Sequence, residues 1–498
     1  MAKHSISESS EFVGEWHLSN GEAKKIAGTL SWSVRKAVLL LHDTFTPTRG
    51  KVYGDEQHAY PSIQGTTIDG KFVTMLWAHR LGNGFSFGPA GLRESERLRS
   101  SWVVVGAHVV PDSLYSEIRA RIPGLQTWLC RSGVSQTMFS KTETTGAAMQ
   151  YTFEGLAEEL FAIPDQPIEL GWGIDRNFNG DATTKITVTT SASLRIKSSQ
   201  PQDLRWFFEQ FNKAATLLSF ITGSPMSTDH VSAKLAAGGD VDVLVALRES
   251  GVCAFADPHD FFMLRDDMNA TVETVFSKWF GLFETIEMPS QLARSILSTE
   301  NLWLHVEFLS LMQALEGFHR ATMPGLYGSA SEYDQVEKAL NAALPSNIGT
   351  DHRQSLKSRI KYGNEISLRK RLKDLVTRLA LPLRKHILGG DGDVPDRWIA
   401  TRNYYTHWDD ISHKDALDGI DMHHAHVRMR HLLRALYLDL VGIPQEAIGK
   451  SLTNSCDESQ YLIQLNNSEF RKNNPNADVG AIMSIETGKP ESPDKPST

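Results

Sequence analysis

Arg402-Asn403-Tyr404-Tyr405-Thr406-His407 places one permanent cation and one titratable imidazole on a single short stretch, with four residues between them. Arginine stays charged at physiological pH and offers a planar fork of donors that matches a phosphate. Histidine gives and takes a proton near neutrality. Together the two supply what a metal-free cut of an RNA phosphodiester needs. The 2′-hydroxyl of RNA attacks the neighbouring phosphorus once its proton is removed, the developing phosphoryl charge must be neutralised, and the leaving 5′-oxygen must be protonated. His407 suits the proton steps, Arg402 the charge, and the Asn403 amide can hold either partner. DNA lacks the nucleophile. Neither metal nor cofactor is expected.

Position constrains this chemistry. Five residues along an ideal helix rotate a side chain by about 140°, so Arg402 and His407 share a face only if the helix breaks or other elements complete the site. The bland alternative is an Arg and a His on a solvated helix end. A similar spacing, Arg35 to His42, lies in the apolar run Ala37-Val38-Leu39-Leu40-Leu41 and reads as a strand. Tyr404, Tyr405 and Trp408 could stack on unpaired bases or belong to the core. Glu316, in an otherwise apolar helix, is a candidate to orient Arg402, or a partly exposed carboxylate. Residues 351–385 carry eleven Lys/Arg against Asp351, Glu365 and Asp374, a phosphate-facing surface or a solvated face. His413, His423, His424 and His426 lack the carboxylate or thiolate company of a metal site, and with Arg428, Arg430 and Arg434 they read as a basic helix face.

The bulk of the chain sets limits. Its 498 residues exceed one ordinary core. With 41% hydrophobic and 22% charged residues it is globular, and a net charge of −8 excludes a general polyanion binder. Three scattered cysteines, Cys130, Cys253 and Cys456, support no disulfide framework. The polar start lacks a signal-peptide core, and no apolar run reaches membrane-span length. A cytoplasmic protein is expected.

From about 11 to 197 the pattern is β-rich. Phe12–Leu18, Gly28–Trp32 and Ala37–Leu41 read as strands, with a turn at Asn20-Gly21, and Gln64–Trp77 reads as a hairpin tipped by Asp69-Gly70. Ser101–Val110 and Ala182–Lys197 add β-rich runs. Asp175–Gly180 starts like a calcium loop, but position twelve is Ile186 where a Glu is needed, and an Asn179-Gly180 turn is the better reading. Helical spacing begins at Leu204 and runs to Ile221, with Gly223 as stop, and returns at Val272–Phe283. Pro289 and Ser298-Thr299 punctuate the chain, placing the main boundary at 298. Beyond it helices are expected over 302–316, 331–344, 351–362, 366–386, 394–408 and 414–441, an antiparallel bundle. Val394-Pro395-Asp396 opens the helix that carries the motif. After Pro444 periodicity fades, and 474–498 has a disordered composition. The fold class is α+β: a β-rich region with helical additions (1–298), a helical bundle (299–445) and a polar, partly disordered tail (446–498).

The Arg-polar-x3-His stretch within an all-helical region resembles the signature of HEPN ribonucleases. Its surroundings resemble the HEPN domain of ApeA-type abortive-infection proteins. Gly14-Glu15-Trp16-His17-Leu18 with Gly28–Trp32, and Ile63–His79, are similar to the opening of ApeA N-terminal domains. The resemblance covers the chain to about residue 445. It implies antiphage RNA cleavage, with transfer RNA as the substrate suggested by related toxins, a homodimer in which two copies of the motif line one cleft, a phage-derived trigger, and a sensing or restraining N-terminal domain. Two other readings stand beside it: a HEPN bundle that has lost catalysis and serves as an RNA-binding or dimerisation scaffold, and an active β domain that binds carbohydrate, for which no paired glycosidase carboxylates stand out.

Overall fold

The computed structural model describes residues 4–474 apart from 20–23, 35, 46–58, 89–90, 132, 140–147, 155–156, 182–183, 247–256, 300–301, 409–412 and 455. The Asn20-Gly21 turn, Arg35, Cys253 and the polar end from 475 lie outside the described residues. The chain forms two compact units, Met1–Ser219 with Ser224–Pro258 and Leu264–Asp266, and Phe220–Gly223 with His259–Met263 and Asp267–Thr498.

The first unit is built on one antiparallel sheet. Strands β1 (Ser10–Leu18), β2 (Ile26–Ser33), β3 (Lys36–Leu41), β4 (Ala59–Thr67), β5 (Phe72–Gly88) and β6 (Gly91–Ser100) close a barrel in the order β5-β4-β1-β2-β3-β6-β5. Alternation drives the closure, since Trp16, Leu30, Trp32 and Leu39 point inward and are buried while their neighbours face out. Gly65 is required there, because a Cβ would run into the Trp16 ring. β5 bends at Trp77 (φ 49°), so its first half pairs with β7 (Trp102–Val105) and its second half with β6. The sheet then continues outward from β7 through β15 (Asp240–Val245), β14 (His230–Leu235), β8 (Tyr115–Arg121), β13 (Lys185–Gln202), β12 (Ile168–Asp181) and β11 (Glu159–Ala162). A separate ribbon joins β9 (Val134–Phe139) to β10 (Ala148–Phe153), and α1 (Leu125–Trp128) and α2 (Leu204–Thr222), whose residues from Phe220 on belong to the second unit, are the first unit's α-helices among the described residues. The Asp69-Gly70 hairpin and the strands at 12–18, 28–32 and 37–41 fall where alternation places them. Asn179 and Gly180 are not a turn, since they still pair with Thr187 and Ile186 as β12 runs on to Asp181. Of the run 101–110 only Trp102–Val105 is strand.

The second unit is helical: α3 (Val272–Leu297), α4 (Leu304–Thr322), α5 (Ala330–Ala342), α6 (Thr350–Lys361), α7 (Leu368–Arg378), α8 (Leu381–Leu388), α9 (Asp396–His407), α10 (Gly419–Leu440), α11 (Gln445–Ser451) and α12 (Asp457–Asn473). α10 is its axis. Tyr437 stacks on Phe220 at 4.4 Å and meets the Phe318 ring edge-on at 4.8 Å. The expected break at 298 falls inside this unit, because α3 packs against α4, with Pro289 close against Gly317. Pro289 lies within α3 and does not end it. The single helix expected over 366–386 is two, with Pro382 opening the second. Residues 446–473, expected as polar tail, form α11 and α12 and bury Ala447, Ile448, Leu462 and Leu465.

Candidate active site

The candidate residues sit on the last two turns of α9. The helix is fixed from its buried side by Trp398 and Thr401. The Thr401 hydroxyl donates to the Arg397 carbonyl at 2.6 Å and accepts the Leu417 N–H at 2.8 Å, tying the helix to the chain that leads into α10. Arg397 adds an ion pair to Asp421 at 3.1 Å, and Arg369 pairs with Asp396 at the helix start. α9 runs unbroken to His407 and stops because Trp408 adopts the left-handed conformation (φ 55°).

Arg402 and Asn403 are half-buried, while Thr406, His407 and Trp408 are exposed. The Arg402 Nη1–H donates to Asn403 Oδ1 at 3.3 Å. With no break between them, Arg402 and His407 point in directions about 140° apart around one axis, and among the described residues no hydrogen bond joins them. An aromatic cluster sits on the same helix end: Tyr405 lies against Tyr404 and Trp408, and Tyr404 against His413 at 4.8 Å. Burial, with Tyr404 and Asp418 nearby, pushes the Tyr405 phenol up. Sequence reasoning missed His305, whose ring stacks on Tyr405 at 5.6 Å and 13°, and the exposed Trp303 beside it. No spacing signal links the start of α4 to the end of α9.

Three expectations need correction. Glu316 does not orient Arg402. It accepts from Arg320 Nε at 3.0 Å, and Arg320 also reaches Glu365 at 3.0 Å. The 351–385 cations are not one displayed surface. Arg371 is buried against His319 and Glu365, Lys370 pairs with Asp374, and Arg378 pairs with Asp439 at 2.6 Å. Lys357 and Arg359 on α6 stay exposed without an ion pair among the described residues. The basic helix face expected from the histidines with Arg428, Arg430 and Arg434 is not displayed, since His426, Arg428 and Arg434 are buried. Arg428 pairs with Glu469 at 2.8 Å and Arg434 with Glu458 at 2.7 Å, both from α12. Glu307 of α4 takes His426 at 3.4 Å and Arg430 at 3.6 Å.

Family models identify this architecture, a β-barrel unit with a sheet extension followed by a helical unit, as that of an antiphage HEPN-type protein. The chain belongs to the ApeA family: the model of ApeA N-terminal domain 1 matches residues 11–279, and that of the Apea-like HEPN domain matches 309–447. No curated protein and no solved structure matches it.

Proposed function

We propose that the HEPN domain is an endoribonuclease whose site is completed by a second copy of the chain. The observation that carries this reading is the unbroken α9. A single helix holds Arg402 and His407 too far around its axis to grip one phosphate, whereas two copies of the helix end facing each other supply two guanidinium groups and two imidazoles. One His407 then takes the 2′-hydroxyl proton while the oxygen attacks phosphorus. The 5′-oxygen leaves with a proton from the other His407, and a 2′,3′-cyclic phosphate remains. Arg402, held by Asn403, meets the charge on the phosphoryl oxygens. The step uses groups of the protein alone. Transfer RNA, a phage-derived trigger and a cytoplasmic setting complete the proposal, on the family's account.

His407→Ala and Arg402→Ala test it. Each is expected to abolish cleavage of bulk tRNA in EDTA with an unchanged melting temperature, and light scattering is expected to give a dimer mass. Cleavage that persists in both variants refutes the assignment. The scaffold reading is favoured by the separation of Arg402 from His407 within one subunit, and it predicts RNA that is retarded on a gel and never shortened.

A further inference from the structure

The strands flanking β8 carry a second set of charged side chains, which the HEPN chemistry does not use. Their register is explicit. Lys197 and Lys234 flank Glu117 in one cross-strand row, Arg195 and Ser232 flank Arg119 in the next, and Ser193 and His230 flank Arg121 in the third. Alternation sends these side chains to one face of the sheet. The residues between them, such as Leu194, Ile196, Ile118 and Val231, are buried on the other. The array therefore sets five fixed cations, from Lys197, Lys234, Arg119, Arg121 and Arg195, against one carboxylate. Like charges directly opposite one another destabilise a sheet, and Arg195 faces Arg119 directly.

Glu117 relieves part of this. It accepts from Arg119 Nε at 2.6 Å and from Arg195 Nε and Nη2 at 2.9 Å. Arg195, 4% exposed, also reaches Glu158. Asp229 takes Arg121 through Nε at 2.7 Å and Nη2 at 3.0 Å. The terminal nitrogens of Arg119, Nη1 of Arg121 and the ammonium groups of Lys197 and Lys234 are left with no acceptor among the described residues. All three rows line one cleft of about 890 Å³. The acids on its rim are largely engaged: Asp69 holds Lys71 at 3.0 Å, and Asp242 accepts the His4 N–H and meets His230 Nε2, both at 3.1 Å. Asp240 and Asp175 complete the rim. The half-exposed ring of Phe72 lines the same cleft.

We propose that this cleft binds a phosphorylated nucleoside, its phosphates on the spare donors of Arg119, Arg121, Lys197 and Lys234 and its base against Phe72. Clustered guanidinium and ammonium groups select phosphate oxygens, and an exposed ring at the rim offers a stacking face. The volume is that of a pocket for a whole small molecule, roughly 300–1,000 Å³, and far exceeds what a lone phosphate fills.

Calorimetric titration of the full chain with ATP in EDTA tests the site, with pyrophosphate, adenosine and a short single-stranded RNA as separate arms. ATP is expected to bind, pyrophosphate to bind more weakly, and adenosine to give no heat. Arg119→Gln and, separately, the exposed Lys234→Gln are each expected to weaken ATP by about tenfold, the loss of a charge-assisted hydrogen bond, with unchanged melting. His407→Ala is expected to bind ATP like the wild type, so this reading and the ribonuclease reading fail independently. Absence of heat with millimolar ATP, or ATP affinity unchanged in both cleft variants, overturns the proposal. So does RNA binding more tightly than ATP and being lost in those variants, which assigns the cleft to a strand.

Discussion

On the proposed reading, a half-buried guanidinium near a helix end serves catalysis only if its direction is fixed. Asn403 does this for Arg402 by accepting from Nη1 at 3.3 Å. Asn403→Ala is therefore expected to lower RNA cleavage by about tenfold without shifting the melting temperature. Arg402→Lys, which keeps the charge and loses the fork, is expected to lower it by about a hundredfold. Initial rates on labelled RNA decide, and wild-type rates in both variants would remove Asn403 and the fork from the site. Thr401 works at the same scale through the fold. Its buried hydroxyl is the acceptor for the Leu417 N–H. Thr401→Val keeps the shape and strands that donor, so unfolding free energy is expected to fall by about 2 kcal/mol, measured by urea denaturation. A change near zero would mean that the Leu417 N–H finds another acceptor. Arg402, Asn403 and His407 could be nominated from the sequence because their residue types state the chemistry they could do. Thr401 and His305 could not, because a threonine hydroxyl or an imidazole acquires its role from a neighbour far away in the chain.

At the scale of the element, α10 shows why spacing gives a helix's position more readily than its surroundings. Its apolar residues recur at helical intervals and give the helix expected over 414–441, yet Arg428, Arg430 and Arg434 read as a basic helix face, because the carboxylates that meet Arg428 and Arg434 arrive with α12 and the one that meets Arg430 comes from α4. Burial first, and Arg434 next, press the His431 imidazole down to about 4, against the opposing pull of Glu458, with His386 of α8 adding to the depression. Desolvation beside the buried Arg434 pushes the Glu458 carboxyl up, but the charges of Arg434, His431 and Arg430 outweigh it and hold it well below the usual carboxylate range. An unfolded chain protonates its histidine near 6.5, as the folded His431 does not, so between that value and about 4 the unfolded state binds the extra proton. Stability is then complete above 6.5 and falls as pH drops, by about 1.4 kcal/mol per unit from this group. Between about pH 7 and about pH 5 the wild type is expected to lose about 2 kcal/mol more than His431→Gln, read from urea midpoints. Equal losses would show that His431 takes its proton in the folded state. Where the pattern misled on helix limits, proline was the cause. The apolar rhythm runs through Leu379-Ala380 into Leu383, and only Pro382 marks the fresh start, whereas Pro289 sits in mid-helix without ending it.

At the scale of the molecule, composition and alternation separate a β region from a helical one, but they put the division where punctuation is strongest, at Ser298-Thr299, and not where packing divides the chain. The helical core draws on both sides of that mark. Phe220 stacks on Tyr437, Trp279 of α3 meets both rings, and Phe262 lies under the Arg434 guanidinium at 4.9 Å. From the far end, α12 brings Glu458 and Glu469 to Arg434 and Arg428. Excising residues 299–445 would uncover Tyr437 and leave two buried guanidinium groups unpaired. Losing a buried partner costs roughly 3–5 kcal/mol, less here because both carboxylates are about two-fifths exposed, yet two such losses together with the missing aromatics approach the whole stability of a small domain, about 5–15 kcal/mol. The excised segment is therefore expected to keep helical far-UV dichroism, to lose near-UV dichroism and a cooperative melt, and to bind a hydrophobic dye, while the full chain melts cooperatively. A sharp melt with native near-UV signal from 299–445 alone would show that α3 and α12 decorate the HEPN bundle instead of completing its core.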